Sequence, residues 1–290
     1  MPTAPGAFVD LPSRGLRLHY RDWGGHGSPL VLLHGLSSNS RIWDWTAPIL
    51  ARHFHVIALD QRSHGLSDQT PDGYGFADVT ADLASFLEAV GIEQPVVVGH
   101  SWGASVALTY ATAGPGNARA IVLVDGGVID ISGLGSWEDA EPRMRPPAID
   151  GTPVESFVGF MRRWPQLQGL WSDDLRDMVL ANFAVRDGRI YRPLTISNHM
   201  KIARAIYHLN PSEVLPHVDC PILVISCRQE PGNDEGRAWQ AARQEAIDKV
   251  AQLVPAAHVV VMEDTIHDVP IQRPLELAEV ILTFLAQGQP

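Results

Sequence analysis

The sequence predicts an α/β fold: a doubly wound, mostly parallel sheet of eight strands carrying one helical insertion. Three observations point to it. Continuous apolar runs recur at residues 29–33, 56–59, 95–98 and 120–124, and an apolar run without alternation suits a strand buried on both faces. Amphipathic stretches separate these runs, and such alternation of strand and helix specifies parallel strands joined by crossovers. The alternation then stops between residues 128 and 216 and resumes with the runs at 221–226 and 259–262. The expected division is therefore a core domain of residues 1–127 and 217–290, with residues 128–216 as a helical cap.

Taken in order, residues 8–11 and 16–22 read as antiparallel edge strands joined by a turn at 12–15. After a Gly-rich turn, the run 29–33 ends in His34, Gly35 and Leu36. In open α/β sheets the ligand crevice lies at such carboxyl ends. Gly35 lets the backbone approach a ligand, the Leu36 N–H is a candidate anion donor, and His34 reads as a residue that orders the loop. Ser40, Ile42, Trp43, Ala47 and Leu50 fit a capped amphipathic helix. The strand at 56–59 leads into a polar loop, 60–68, where an ion pair between Asp60 and Arg62 is the expected fastening. Phe76, Val79, Leu83, Phe86, Leu87 and Val90 stand at helical spacing, and Gly91 supplies the stop.

The stretch Gly99-His100-Ser101-Trp102-Gly103 lies between the strand 95–98 and a helix-forming run from Ala104. That is the G-x-S-x-G pattern in its strand–turn–helix context, which presents a serine hydroxyl on a strained turn. The helix N-terminus behind it favours negative charge, so the Trp102 N–H is a second candidate donor. A serine capping a helix is the competing reading; the flanking strand and helix favour a nucleophile. Asp125 ends the strand 120–124. Within the insertion, Trp137, Phe157, Met161 and Trp164 are candidates to line an apolar pocket. Past the strand 221–226 comes a long polar loop holding Glu230, then a helix, the last strand at 259–262, and a loop carrying His267 and Asp268 before the closing helix.

Composition narrows the partners. Of 290 residues, 19% are charged and the net charge is −11, which argues against nucleic acid or an anionic membrane. Cys220 and Cys227 flank one strand, and an extended span of roughly 23 Å cannot close a disulfide; free thiols fit a reducing compartment. Residues 1–10 lack a basic and apolar leader, and no run reaches the ~18 apolar residues of a membrane helix, so a cytoplasmic protein is expected. No cluster of metal ligands stands out, no cofactor is implied, and the oligomeric state is not legible.

The order of parts resembles the α/β-hydrolase family over essentially the whole chain. The resemblance rests on His34-Gly35, the 60–68 loop (with Ser63 where the family usually has glycine), the 99–103 turn, and His267 after the final strand. It implies Ser101 as nucleophile, His267 as general base, and the Leu36 and Trp102 N–H groups as oxyanion hole. The chemistry asks for the same set, since a serine hydroxyl needs a histidine to take its proton and a carboxylate to orient that histidine. Among twelve histidines, His258 precedes its strand and His100 is turned away by the elbow. The acid is open between Asp125, which ends the strand before the insertion, and Glu230, which follows the strand after it. Asp125 is preferred for its intact strand-end context. The implied reaction is acyl transfer to water, and the capped aromatic pocket suggests a small to medium, uncharged, partly apolar ester or lactone. Carbon–carbon, amide or imino-peptide hydrolysis and cofactor-free haloperoxidation share the triad, and a hydrolase-like receptor with little turnover is the reading from another class.

Overall fold

A computed structural model describes residues 4–287; residues 1–3 and 288–290, which the predicted core segments include, lie outside the described residues. The strands are β1 (Gly6–Leu11), β2 (Leu16–Gly24), β3 (Pro29–Leu33), β4 (His55–Leu59), β5 (Val96–His100), β6 (Ala120–Val124), β7 (Thr152–Pro153), β8 (Ala184–Arg186), β9 (Arg189–Tyr191), β10 (Ile222–Arg228) and β11 (His258–Glu263). Eight of them form one sheet in the order β1-β2-β4-β3-β5-β6-β10-β11. β1 and β2 pair antiparallel, as do β2 and β4; the remaining pairs are parallel. Chain order runs outward from β3 in one direction through β4 and in the other through β5, so the switch point lies between β3 and β5.

Side chains alternate across a strand, and here both faces are apolar. Leu33 and Val97 join Phe86 and Leu108 in one core layer, while Leu32 and Val98 join Trp43 and Ile281 in the other. The continuous apolar runs are thus explained by helices covering both faces of the sheet.

Three local expectations are corrected. Residues 40–50 form a short 3₁₀ turn, Ser40–Trp43, and a separate helical turn, Ala47–Leu50, rather than one helix. Asn39, not Ser40, caps the first, accepting from the Arg41 N–H at 2.9 Å, and Pro48 supplies no N–H to continue it. In the loop after β4, Asp60 and Arg62 do not pair with each other. Asp60 binds His19 at 2.7 Å, whereas Arg62 reaches Asp82 of the helix Phe76–Ala89 at 2.5 and 2.8 Å.

Between β6 and β10 the chain leaves the main sheet. Its helices include Trp137–Met144, Val154–Arg162, Asp173–Leu180 and Ile196–His208, but it also holds a three-stranded antiparallel sheet, β7-β9-β8. The two-residue turn of that hairpin is Asp187-Gly188, with φ of 50° and 70°, the positive angles a tight hairpin turn requires. An Asp-Gly pair favours such a turn, and the helical reading of the insertion passed over it. Cys220 and Cys227 are free thiols, and no described helix is long and apolar enough to cross a membrane.

Candidate active site

The carboxyl ends of β3, β5, β6 and β11 surround the switch point. After β5 the backbone turns sharply, and Ser101 takes φ 56° and ψ −117°, a conformation that costs about 1–3 kcal/mol and persists only where neighbours enforce it. Close packing does so here. A Cβ at Gly103 would stand 2.5 Å from the Leu33 carbonyl oxygen, and one at Gly35 3.0 Å from the Ser101 Cβ. Ser101 occupies the N-cap position of the helix Trp102–Thr112, yet its side chain makes no capping hydrogen bond. The Trp102 N–H is among the first-turn donors that a helix leaves without an internal partner. Leu36 lies in a turn closed by the Ser38 N–H donating to the Gly35 carbonyl at 3.2 Å, next to Gly35, which packs on Ser101.

Asp125, after β6, holds the histidine. Its carboxylate is almost fully buried; Oδ2 accepts from His267 Nδ1 at 2.6 Å and Oδ1 from the Cys227 N–H at 2.8 Å. Committing Nδ1 as donor leaves Nε2 as the basic ring atom. Glu230 is exposed in the loop after β10, and it is the Cys227 backbone of β10 that meets Asp125. Of the two candidate acids, Asp125 is the one bonded to His267.

Sequence reasoning missed Arg243. It projects from the helix Asp234–Leu253, and its guanidinium pairs with Asp125 Oδ1 and lies 3.4 Å from the Ser226 hydroxyl. In the sequence it is one cation of a polar helix, and no linear signal sets it apart. Burial of one ring edge against this cluster lowers the His267 pKa; Asp268 opposes the shift and Arg243 adds to it.

Other histidines order the loops. His100 is neutral, held well below its ordinary pKa by burial and by His267. Its Nε2 donates to the His267 carbonyl at 2.8 Å, with the rings 4.7 Å apart. His34 Nδ1 donates to the Gly35 carbonyl at 2.7 Å and Nε2 accepts from the Gln61 N–H at 3.0 Å. His64 donates to the Arg62 carbonyl and accepts from the Ser37 N–H, and burial with the His34 field brings its pKa down to about 3.

A cavity of about 300 Å³ opens beside Asp125, Arg243 and His267. A second, of about 240 Å³, is lined by Leu36, Phe157, Met161 and Asp268 among others. Phe157 and Met161 therefore stand where a pocket residue is expected. Trp137 and Trp164 are not among the residues lining either cavity. Trp137 packs edge-on against Tyr207 at 5.3 Å, with the Arg204 guanidinium 5.6 Å from its ring, and Trp164 is 43% exposed. Phe183, another aromatic residue of the insertion, lines the same cavity and packs on Phe157 at 4.9 Å.

Known proteins place this architecture. The chain is 27% identical over 266 residues to a 2-(acetamidomethylene)succinate hydrolase of Mesorhizobium japonicum, covering 90% of this chain and 89% of that one. It is 36% identical to an N-formylmaleamate deformylase of Pseudomonas putida over 117 residues, which span less than half of either protein, 40% of this chain and 44% of the relative. The crystal structure of an E-2-(acetamidomethylene)succinate hydrolase superposes with a TM-score of 0.81 at 23% identity, covering 98% of this chain and 99% of that one, which speaks to the fold alone. The family model described as alpha/beta hydrolase family matches residues 30–280, and with its eight-stranded sheet and strand–turn–helix serine the chain belongs to the alpha/beta hydrolase family.

Proposed function

We propose that this protein hydrolyses a small acyl compound through an acyl-enzyme on Ser101. The observation that carries the reading is the 2.6 Å bond from His267 Nδ1 to the buried Asp125, beside a serine whose backbone is strained and whose hydroxyl does not cap its helix. In this reading His267 Nε2 takes the Ser101 proton as Oγ attacks the substrate carbonyl. The Leu36 and Trp102 N–H groups hold the oxyanion, and the proton passes from His267 to the leaving group. Water, deprotonated by His267, then releases the acid. Asp125 keeps the imidazole in the required tautomer and stabilises its charge. Residues 128–216 act as a cap whose Phe157 and Met161 wall the acyl pocket, and no cofactor takes part.

The bond cleaved is an ester or lactone in the first reading. A second reading, an amide, is favoured by one observation: the two curated relatives named above carry an N-formyl and an acetamido compound in their names. Carbon–carbon cleavage would use the same residues. Kinetics on a p-nitrophenyl ester series and on N-formyl and N-acetyl amides separates the first two classes. Ser101→Ala should lose on the order of 10⁴ or more in kcat on whichever class is cleaved. Retained turnover in Ser101→Ala overturns the proposal.

A further inference from the structure

Arg192 follows β9, and its side chain is only 7% exposed. A guanidinium out of water normally has its N–H groups bonded to acceptors, because a buried unpaired donor is costly. Here Nη1 has no hydrogen-bond partner. The nearest carboxylate oxygen, Asp150 Oδ2, stands 3.8 Å away, within ion-pair range but beyond a hydrogen bond. Asp150 is half-exposed and accepts the Arg192 backbone N–H through its other oxygen at 2.9 Å, while Arg192 Nη2 contacts the Pro147 carbonyl.

Arg192 lines a cavity of about 150 Å³ with Ser37, Ser38 and Asn182, and among the described residues lining it no other carries a formal charge. The two histidines nearby are neutral. His64 has both ring nitrogens engaged. His199 donates through Nε2 to the Met144 carbonyl and accepts the Ser37 hydroxyl at Nδ1, each at 2.9 Å, and burial together with the Arg192 charge lowers its pKa. This cavity meets the 240 Å³ cavity along Ser37, Ser38, Asn182 and Phe183. The turn after β3 lies between these cavities and Ser101. Gly35 packs on Ser101, and residues 35–38 form a single hydrogen-bonded turn, whose end Cα atoms lie within about 7 Å of each other.

Resting on the Ser101 reading above, the geometry points to an anion site at Arg192 that takes the free carboxylate of a small substrate whose scissile acyl group lies at Ser101. The unpartnered Nη1 can donate to a carboxylate oxygen, and the guanidinium charge strengthens that bond. A chain of net charge −11 repels an acidic substrate at long range, so recognition has to be local and buried. A cavity of about 150 Å³ admits only a small anionic group, which suits a half-ester or half-amide of a short dicarboxylic acid. This proposal departs from the uncharged substrate that the capped aromatic pocket suggests.

The test compares monoethyl succinate with ethyl succinamate, in which a carboxamide replaces the carboxylate at nearly constant shape. Wild type should favour the acid by at least about tenfold in kcat/KM, Arg192→Gln should collapse that ratio by about 10- to 100-fold, and Arg192→Lys should restore part of it. Succinate titrated calorimetrically into Ser101→Ala, with and without Arg192→Gln, reads the site without turnover, and the second change should weaken binding at least about tenfold. A wild-type ratio of one or less, or a ratio and a succinate affinity indifferent to Arg192→Gln, overturns the anion site. It leaves the Ser101 reading standing if Ser101→Ala inactivates both esters. If wild type cleaves neither ester, the ester reading fails and the succinate titration alone decides the site. Should Arg192→Gln not fold, the wild-type ratio and Arg192→Lys decide it.

Discussion

Two aspartates at the ends of strands in one sheet make nearly the same bonds. Asp60, after β4, accepts from His19 Nδ1 at 2.7 Å and from the Ser40 and Leu66 N–H groups at 2.6 and 3.0 Å. Asp125, after β6, accepts from His267 Nδ1 at 2.6 Å and from the Cys227 N–H at 2.8 Å. The far side of each imidazole differs. His19 is 4% exposed, and its Nε2 is pressed against Gly6, where a Cβ would come within 2.3 Å. The His267 side chain is 53% exposed. An aspartate–histidine pair is therefore no sign of catalysis by itself: at Asp60 it fastens the loop after β4 to the edge strands, and at Asp125 it leaves one ring edge available.

The largest expected effect sharpens that contrast. Asp125→Asn should lower kcat by about 10⁴, the loss expected when the imidazole takes the wrong tautomer, while Glu230→Gln should stay within about twofold of wild type. Both are read by steady-state kinetics on the same substrate, and the reverse ranking would return the role to Glu230. Asp60→Asn should act on stability instead. Burial pushes the Asp60 carboxyl up, but the bonds from His19, Leu66 and Ser40 with the His34 field bring it down to about 2. A carboxyl held below its unfolded value stabilises the fold above that value, near 4, and loses the contribution as pH falls through about 2. The size is about 2 kcal/mol. Urea midpoints at pH 7 and pH 3 should thus differ less in Asp60→Asn than in wild type. An Asp60→Asn protein that keeps its stability and loses its turnover would break the comparison. Gly6→Ala, which drives a methyl into the His19 ring, should destabilise by about 1–3 kcal/mol with kcat intact.

The parts of this arrangement that were legible are those written locally. The apolar runs announced strands buried on both faces, and the spacing of Gly99, Ser101 and Gly103 demanded a turn in which a Cβ would collide with β3. His267 was found by its place at a strand end. Long-range pairings were not legible. Asp60 and Arg62 sit two residues apart, yet the fold turns one toward His19 and the other toward Asp82, because edge strand and helix arrive on opposite sides of the loop. Two of the four pocket candidates, Trp137 and Trp164, lie away from the two cavities for a related reason. Trp137 and Phe157 look alike as aromatic residues of one insertion, and only the packing of their helices decides which meets Tyr207 and which faces Leu36. Arg192 and Arg243 carry no local mark at all.

Arg243 provides the finest test, since Asp60 has no counterpart to it: Arg62 turns away to Asp82. The groups facing His267 are Asp125 at its Nδ1, Asp268 beside it in the chain, the neutral His100 against its ring, and Arg243 across Asp125. Arg243 shares the Asp125 charge, so less of it reaches the imidazole, and the His267 pKa falls. As general base His267 must be neutral, so activity is lost on the acid side as the ring takes a proton. Removing the cation raises that pKa, and the acid limb of the kcat/KM profile should move to higher pH in Arg243→Gln and return in Arg243→Lys. A residue that merely packed would lower the plateau and leave the limb in place. A limb that moves to lower pH would mean that Asp125 loses its hold on His267 without Arg243, and the open pair would then depend on a third partner that the closed pair at Asp60 does without.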